Sequence, residues 1–282
     1  MTIDIKYICP FWGQEHLSAD AFVDRVTTND FQGIEVHLPE AGLFKDQLLS
    51  KLEDIYEKNP AFIFIPQYIM FPGNEKIDDY LKIVEAKLFE LAACKPTFIN
   101  SHTGTDYFSF DDNCRVIETC MNVSSKTGVR ILHETHRGRF SFHAATLIPY
   151  LEKFPELELT GDLSHFCTVS ESLLQQQESI LKKIFQHVSY IHARVGHEQG
   201  PQVNNPFAPE WENHLRQFTR WWDEIIILNR ENGKKEIAIC PEFGPAPYMP
   251  CLPFTKEPLA DQWEIIVSMK KYIKEHFKKT IA

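Results

Sequence analysis

Eight short runs of β-branched and aromatic residues recur along the chain, each followed by a stretch of helix-forming length. They are I-D-I-K-Y-I-C (3–9), G-I-E-V-H-L (33–38), A-F-I-F-I-P-Q-Y (61–68), T-F-I-N-S-H (97–102), V-R-I-L-H-E (129–134), L-E-L-T-G-D (157–162), V-S-Y-I-H-A-R-V (188–195) and E-I-A-I-C-P-E (236–242). Helices are expected over 18–26, 45–58, 75–93, 111–126, 142–153, 171–187, 209–231 and about 258–277. Ser18 and the pair Asp111-Asp112 supply start signals. Eight strand-then-helix units in one chain predict a (β/α)8 TIM barrel, read as one domain over 1–282. A doubly wound open sheet would usually carry a glycine-rich phosphate turn after its first strand, and C-P-F-W-G-Q-E contains none.

Chemistry in such a barrel sits at the C-terminal ends of the strands, on side chains facing the axis. Strand side chains alternate, so parity sorts each run into two faces. In the fifth run Ile131 and His133 share one face, and Leu132, Glu134 and His136 the other. The seventh sets Ile191 and Ala193 against Tyr190, His192 and Arg194. The eighth sets Ile237, Ile239 and Pro241 against Ala238, Cys240 and Glu242. Turning the aliphatic set toward the helices points Glu134, Asp162, His192 and Glu242 inward together, at the ends of four consecutive strands. A single Glu or Asp after a strand is ordinarily a turn residue or a helix cap. Four converging titratable groups need another reason. Three buried carboxylates repel one another unless a cation compensates. Oxygen ligands with one imidazole and no thiolate suit Mn²⁺, Mg²⁺, Co²⁺ or Zn²⁺, so a divalent metal is the expected cofactor.

The formal charge of -10 argues against a nucleic-acid backbone as the main partner. Seven scattered cysteines without a C-x-x-C pair read as reduced thiols of a cytoplasmic protein. No basic stretch followed by a long apolar core opens the chain, and no run of apolar residues is long enough for a membrane span.

The ordered fragments G-I-E at 33–35, E-T-H at 134–136, G-D-L-S-H at 161–165, I-H-A-R at 191–194 and P-E-F-G at 241–244 resemble the xylose-isomerase-like TIM-barrel superfamily, in its sugar phosphate isomerase/epimerase group. The resemblance spans essentially the whole chain. It implies Glu134, Asp162, His192 and Glu242 as metal ligands, with His165 touching substrate or a second metal. In the epimerase branch the two glutamates also exchange protons with the sugar, which makes Glu134 and Glu242 the candidate catalytic pair. The implied function is a metal-dependent isomerase or epimerase acting on a sugar, sugar phosphate or polyol ketone through an enediolate. An inosose-type dehydratase would use the same metal site. An endonuclease-IV-like zinc phosphodiesterase fits less well, because the third run ends in P-Q-Y without a histidine. Two-fold association is common in the family, so a homodimer is allowed for.

Several polar residues near the strand ends keep two readings. Arg194, His197, Glu198 and Gln199 either read substrate or belong to a solvated loop. That loop, 196–206, is rich in Gly, Pro and Asn and is expected to cover the mouth. Arg137 and Arg139 suit a phosphate or carboxylate, or else they cap or solvate the following helix. Trp12, Glu35, His37, Gln67 and His102 fall at the ends of the first four runs, and of these His102 and Trp12 stand out for substrate binding. His136 lies just above Glu134 on the same face and joins that set.

Overall fold

A computed structural model describes residues 3–71 and 73–280. Eight parallel strands close into a barrel in sequence order: β1 (Asp4–Pro10), β2 (Gly33–Val36), β3 (Ile63–Ile69), β4 (Phe98–His102), β5 (Arg130–Glu134), β6 (Leu159–Gly161), β7 (Val188–His192) and β8 (Glu236–Cys240). Pairing of Ile5 with Ile237 and of Tyr7 with Ile239 closes the ring. The helices are α1 (Ala19–Thr28), α2 (Leu43–Lys58), α3 (Ile77–Ala93), α4 (Phe110–Thr127), α5 (Ala144–Lys153), α6 (Leu163–Val169), α7 (Glu178–Phe185), α8 (Glu212–Glu231) and α9 (Gln262–Thr280). This is the (β/α)8 barrel that the alternation predicts. Among the described residues, no helix is long and apolar enough to cross a membrane.

Parity along the strands builds two separate apolar layers. Ile8, Ile63, Ile65, Phe98, Leu132, Tyr190, Ala238 and Cys240 fill the barrel interior. Their neighbours of opposite parity, including Ile34, Phe64, Ile99, Ile191, Ile237 and Ile239, pack outward with the helices. Helix α9 shows the matching helical period: Ile265, Ile266, Met269, Ile273 and Phe277 are buried, so one stripe faces the barrel. Each such side chain contributes about 1.5–3 kcal/mol on full burial. The interior layer is a floor. Side chains one step further along the same strand faces stand above it, and they are polar.

Three local features depart from the sequence expectation. The segment directly after β6 is helical: α6 starts at Leu163, and Asp162 is its N-cap, accepting from the Ser164 backbone N–H at 3.0 Å. The helix expected over 171–187 is confined to α7, because Glu171 (φ 46°) and Leu174 (φ 57°) adopt left-handed backbone that interrupts it. Helix α4 is capped by Ser109 rather than by the aspartates, which occupy its first turn; the Ser109 hydroxyl accepts from Asp112 N–H at 3.0 Å. The Ser18 cap forms as expected, accepting from Ala21 N–H at 3.2 Å.

Candidate metal centre and substrate cavity

Glu134 ends β5, Asp162 follows β6, His192 ends β7 and Glu242 lies just beyond β8. One ligand atom from each lies within 4.8 Å of the others, and all four residues are buried. Backbone and hydroxyl contacts fix these positions. The Thr135 hydroxyl donates to the Asp162 carbonyl at 2.8 Å and accepts from its N–H at 2.9 Å, which locks the ends of β5 and β6 together. The Ser141 hydroxyl donates to the Glu134 carbonyl.

A further carboxylate, Glu35 at the end of β2, holds the set from the opposite side of the barrel. Its Oε2 accepts from His192 Nε2 at 2.8 Å and from the Tyr190 hydroxyl at 2.9 Å, and its Oε1 accepts from Asn100 Nδ2 at 2.8 Å. Asn100 donates as well to Glu134 Oε2, at 2.8 Å. Committing Nε2–H of His192 to Glu35 turns Nδ1 toward the other acids, 3.1 Å from Glu242 Oε2 and 3.3 Å from Glu134 Oε2. Neither His192 Nδ1 nor Glu242 Oε2 makes a hydrogen bond, although both are buried. Buried polar atoms are nearly always bonded, so an imidazole nitrogen and carboxylates converging this closely fit a cation site once Nδ1 gives up its proton. A carboxylate on the far nitrogen of a ligating histidine is the usual support of such a site. The residues present therefore fit a divalent metal held by Glu134, Asp162, His192 and Glu242.

Arg194 enters the same cluster. Its guanidinium bonds Asp162 Oδ2 through Nε at 3.0 Å and through Nη2, and Nη2 lies 2.9 Å from Glu242 Oε2. Trp12 and Tyr248 cover it, with ring centres 5.5 and 4.9 Å away. It neutralises part of the buried negative charge and is positioned as a partner of the acids.

Charge balance sets the protonation of the metal-free cluster. Burial pushes the His192 imidazolium down, but Glu242, Glu35 and Glu134 outweigh it and hold that pKa well above the ordinary histidine value. Burial favours neutral Glu134, yet His102 and His192 keep its carboxyl well below the usual range. Burial is likewise outweighed at Glu242, by His192 and Arg194, and its carboxyl is lowered. At Asp162 burial wins over Arg194, and the carboxyl is raised.

A cavity of about 500 Å³ opens directly over this cluster; Glu134, Glu242 and Arg194 form its base, and Trp12, His102 and His136 stand in its wall. His102 Nε2 lies 2.6 Å from Glu134 Oε2. The His136 ring packs between His102 and His165, with centres 5.0 and 3.9 Å away, and burial holds its pKa down at about 3. His165 is fully buried on α6, with Nε2 3.7 Å from Asp162 Oδ2. His197 does not reach the cavity. It bridges to Gly200 in a tight hairpin and packs its ring 5.0 Å from Trp211, while Glu198 pairs with His214 at 3.0 Å. No residue of the loop 196–206 lines the cavity, and Gln202 ties the loop to the backbone of Gly244 at 2.7 and 3.0 Å. Asn100 and Tyr248 carry contacts that the sequence reading did not weigh, and Glu35, named there only as a polar strand-end residue, supports His192 together with Tyr190. Parity could have found Glu35, which shares the inward face of its run with His37.

No protein-family model matches the chain, and no curated protein sequence matches it. Solved structures do resemble it in three dimensions. The IolI protein with a bound zinc atom is 12% identical over 97% of this chain and 98% of its own, with a TM-score of 0.63. A xylose isomerase-like TIM-barrel protein from Mycobacterium smegmatis, in complex with magnesium, is 10% identical over 100% of this chain and 98% of its own, at 0.63. The probable 3-DHS dehydratase AsbF from Bacillus anthracis is 16% identical over 95% and 98%, at 0.62. These likenesses show the fold: the chain is a (β/α)8 barrel similar in three dimensions to solved xylose-isomerase-like TIM barrels.

Proposed function

We propose that this protein is a divalent-metal-dependent isomerase or epimerase that moves a proton at a carbon next to the carbonyl of a small carbohydrate or polyol ketone. The observation that carries the proposal is the pair Glu134 and Glu242. Both line the cavity, both are buried, and both converge on His192, at 3.3 and 3.1 Å from its Nδ1. A carboxylate facing bound substrate is able to accept a proton from carbon, and a second one nearby, once protonated, is able to return it. A divalent metal, which Glu134, Asp162, His192 and Glu242 would hold, would supply Lewis-acid charge beside the ketone and so lower the cost of removing the neighbouring proton. Trp12, Phe11 and Tyr248 give the sugar an apolar face and limit water access. His102, hydrogen-bonded range from Glu134, orients that carboxylate.

A dehydratase is the second reading, favoured by the likeness to AsbF, whose own name is that of a probable dehydratase. It would use the same proton-abstracting carboxylate and then lose a hydroxyl as water. One experiment separates the two. Incubating ketoses, ketose phosphates and inososes with Mn²⁺-loaded protein in D₂O is expected to give deuterium at a carbon next to the carbonyl. Loss of water from the substrate would select the dehydratase. Phosphodiester cleavage with no exchange across the panel would overturn both.

A further inference from the structure

We propose that Arg137 and Arg139, on the loop after β5, form an anion subsite in the cavity wall, and that the substrate carries a carboxylate or phosphate beside its ketone. The proposal deepens the functional reading above and rests on it for the ketone.

The charges of the cavity divide into two groups. The inner acids Glu35, Glu134, Asp162 and Glu242 are met by Asn100, Tyr190, His102, His192 and Arg194. Arg194 is thereby used up. Arg137 and Arg139 line the same cavity, and among the described residues neither has a carboxylate within ion-pair distance. In a chain with 39 acidic residues and 29 lysines and arginines, two guanidinium groups lining one cavity without an ion pair are not explained by a shortage of partners.

Arg139 is the more telling of the two. It is only 6% exposed, its Nη1 donates to the Met70 carbonyl, and its Nε is buried without any hydrogen bond. Burial pushes its pKa down. A desolvated cation with an open donor is costly unless an anion meets it. Arg137 is half-buried, with its guanidinium 5.1 Å from the Tyr248 ring centre, while that of Arg139 lies 5.4 Å from Phe71. Aromatic cover over the flat faces leaves the N–H edges for a planar or tetrahedral oxyanion. Between the two, Gly138 turns the backbone left-handed at φ 76°, a conformation other residues rarely adopt.

The alternative role of capping the next helix does not hold. Helix α5 begins at Ala144, its N-terminus is the positive end of the helix dipole, and a cation there is unfavourable. Solvation alone does not account for Arg139, which is buried.

The test is a binding titration of dihydroxyacetone, dihydroxyacetone phosphate and 2-ketogluconate to the purified full-length protein, with and without chelator. At least one anionic ketone is expected to bind about tenfold or more tightly than the neutral one, a preference worth about 1.4 kcal/mol. That preference should persist after chelation, and it should collapse in Arg137→Gln and weaken in Arg139→Lys. The phosphate and carboxylate arms identify which oxyanion the site prefers. Equal affinity for neutral and anionic ketones, or a preference untouched in both variants, overturns the subsite. Anion preference without deuterium exchange on any substrate refutes the proposed chemistry and keeps the subsite. Exchange on neutral ketones, with KM indifferent to Arg137→Gln, does the reverse.

Discussion

Replacing Glu35 by Gln tests how the barrel prepares His192. The carboxylate accepts three hydrogen bonds, from His192 Nε2 at 2.8 Å, the Tyr190 hydroxyl at 2.9 Å and Asn100 Nδ2 at 2.8 Å. Glutamine offers one oxygen and one NH₂. If the oxygen faces Asn100, the NH₂ meets His192, and the ring must shift its proton from Nε2 to Nδ1, the atom that faces the metal ligands. If the oxygen faces His192, two NH₂ groups oppose each other at Asn100. Losing a carboxylate behind a ligating histidine typically weakens metal binding about 10–100-fold, or about 1.4–2.7 kcal/mol. One buried donor left unpaired costs a further 1–3 kcal/mol or so of folding stability. Competition with a chromophoric chelator for Zn²⁺ reads the first quantity, and urea unfolding of the metal-free protein reads the second. An affinity within about twofold of wild type, in a variant with unchanged circular dichroism, would refute the claim that Glu35 orients His192 for metal.

Other consequences are as direct. Because His192 holds its proton well above the ordinary histidine range in the metal-free protein, metal uptake must displace that proton; affinity should therefore rise with pH, and calorimetry in buffers of different ionisation enthalpy should detect proton release. His133 is buried with its pKa lowered to about 4, so its contribution to stability is complete above the unfolded value of about 6.5 and is lost as pH falls toward 4, roughly 3 kcal/mol in all. Urea midpoints at the two ends should show this acid loss shrinking in His133→Leu, and an unchanged pH slope would contradict it. Gly33→Ala places a methyl group 2.4 Å from the Ile63 carbonyl and 2.6 Å from its Cβ, in the register pair that joins β2 to β3; overpacking of this kind costs about 1–3 kcal/mol and should lower the melting temperature by several degrees. Arg194→Met leaves Asp162 and Glu242 without their guanidinium and should destabilise the chelated protein by about 3–5 kcal/mol, with part of the loss restored by Mn²⁺.

Much of the barrel is legible because its strands carry two opposite faces, and parity survives any error of one or two residues at their ends. The same parity brings Glu134, Asp162, His192 and Glu242 to one mouth, since each follows an inward residue on its own strand. Features that depend on closure of the ring are not legible in this way. Glu35 meets His192 across 157 positions in sequence, and nothing local to G-I-E-V-H-L tells that its carboxylate faces an imidazole rather than water. Helix α6 escapes notice because L-S-H-F-C-T-V is only seven residues long and mixes polar and apolar residues without a helical stripe, and Asp162 supplies both its cap and a candidate ligand. His197 lies in a polar loop suited to a lid, but the hairpin closed on Gly200 and the packing of its ring on Trp211 keep it out of the cavity lining. Arg194 follows the inward parity of β7, and its pairing with two acids becomes visible only when β6 and β8 flank it.

The central claim is that four strand-end residues form one cation site, and elemental analysis of Mn²⁺-loaded, gel-filtered protein tests it most directly. Wild type should retain roughly one ion per chain, and Glu134→Gln and Glu242→Gln should each retain less than about a tenth of that while keeping the wild-type circular dichroism. Metal retained equally by wild type and both variants, or absent from all three, would contradict the account.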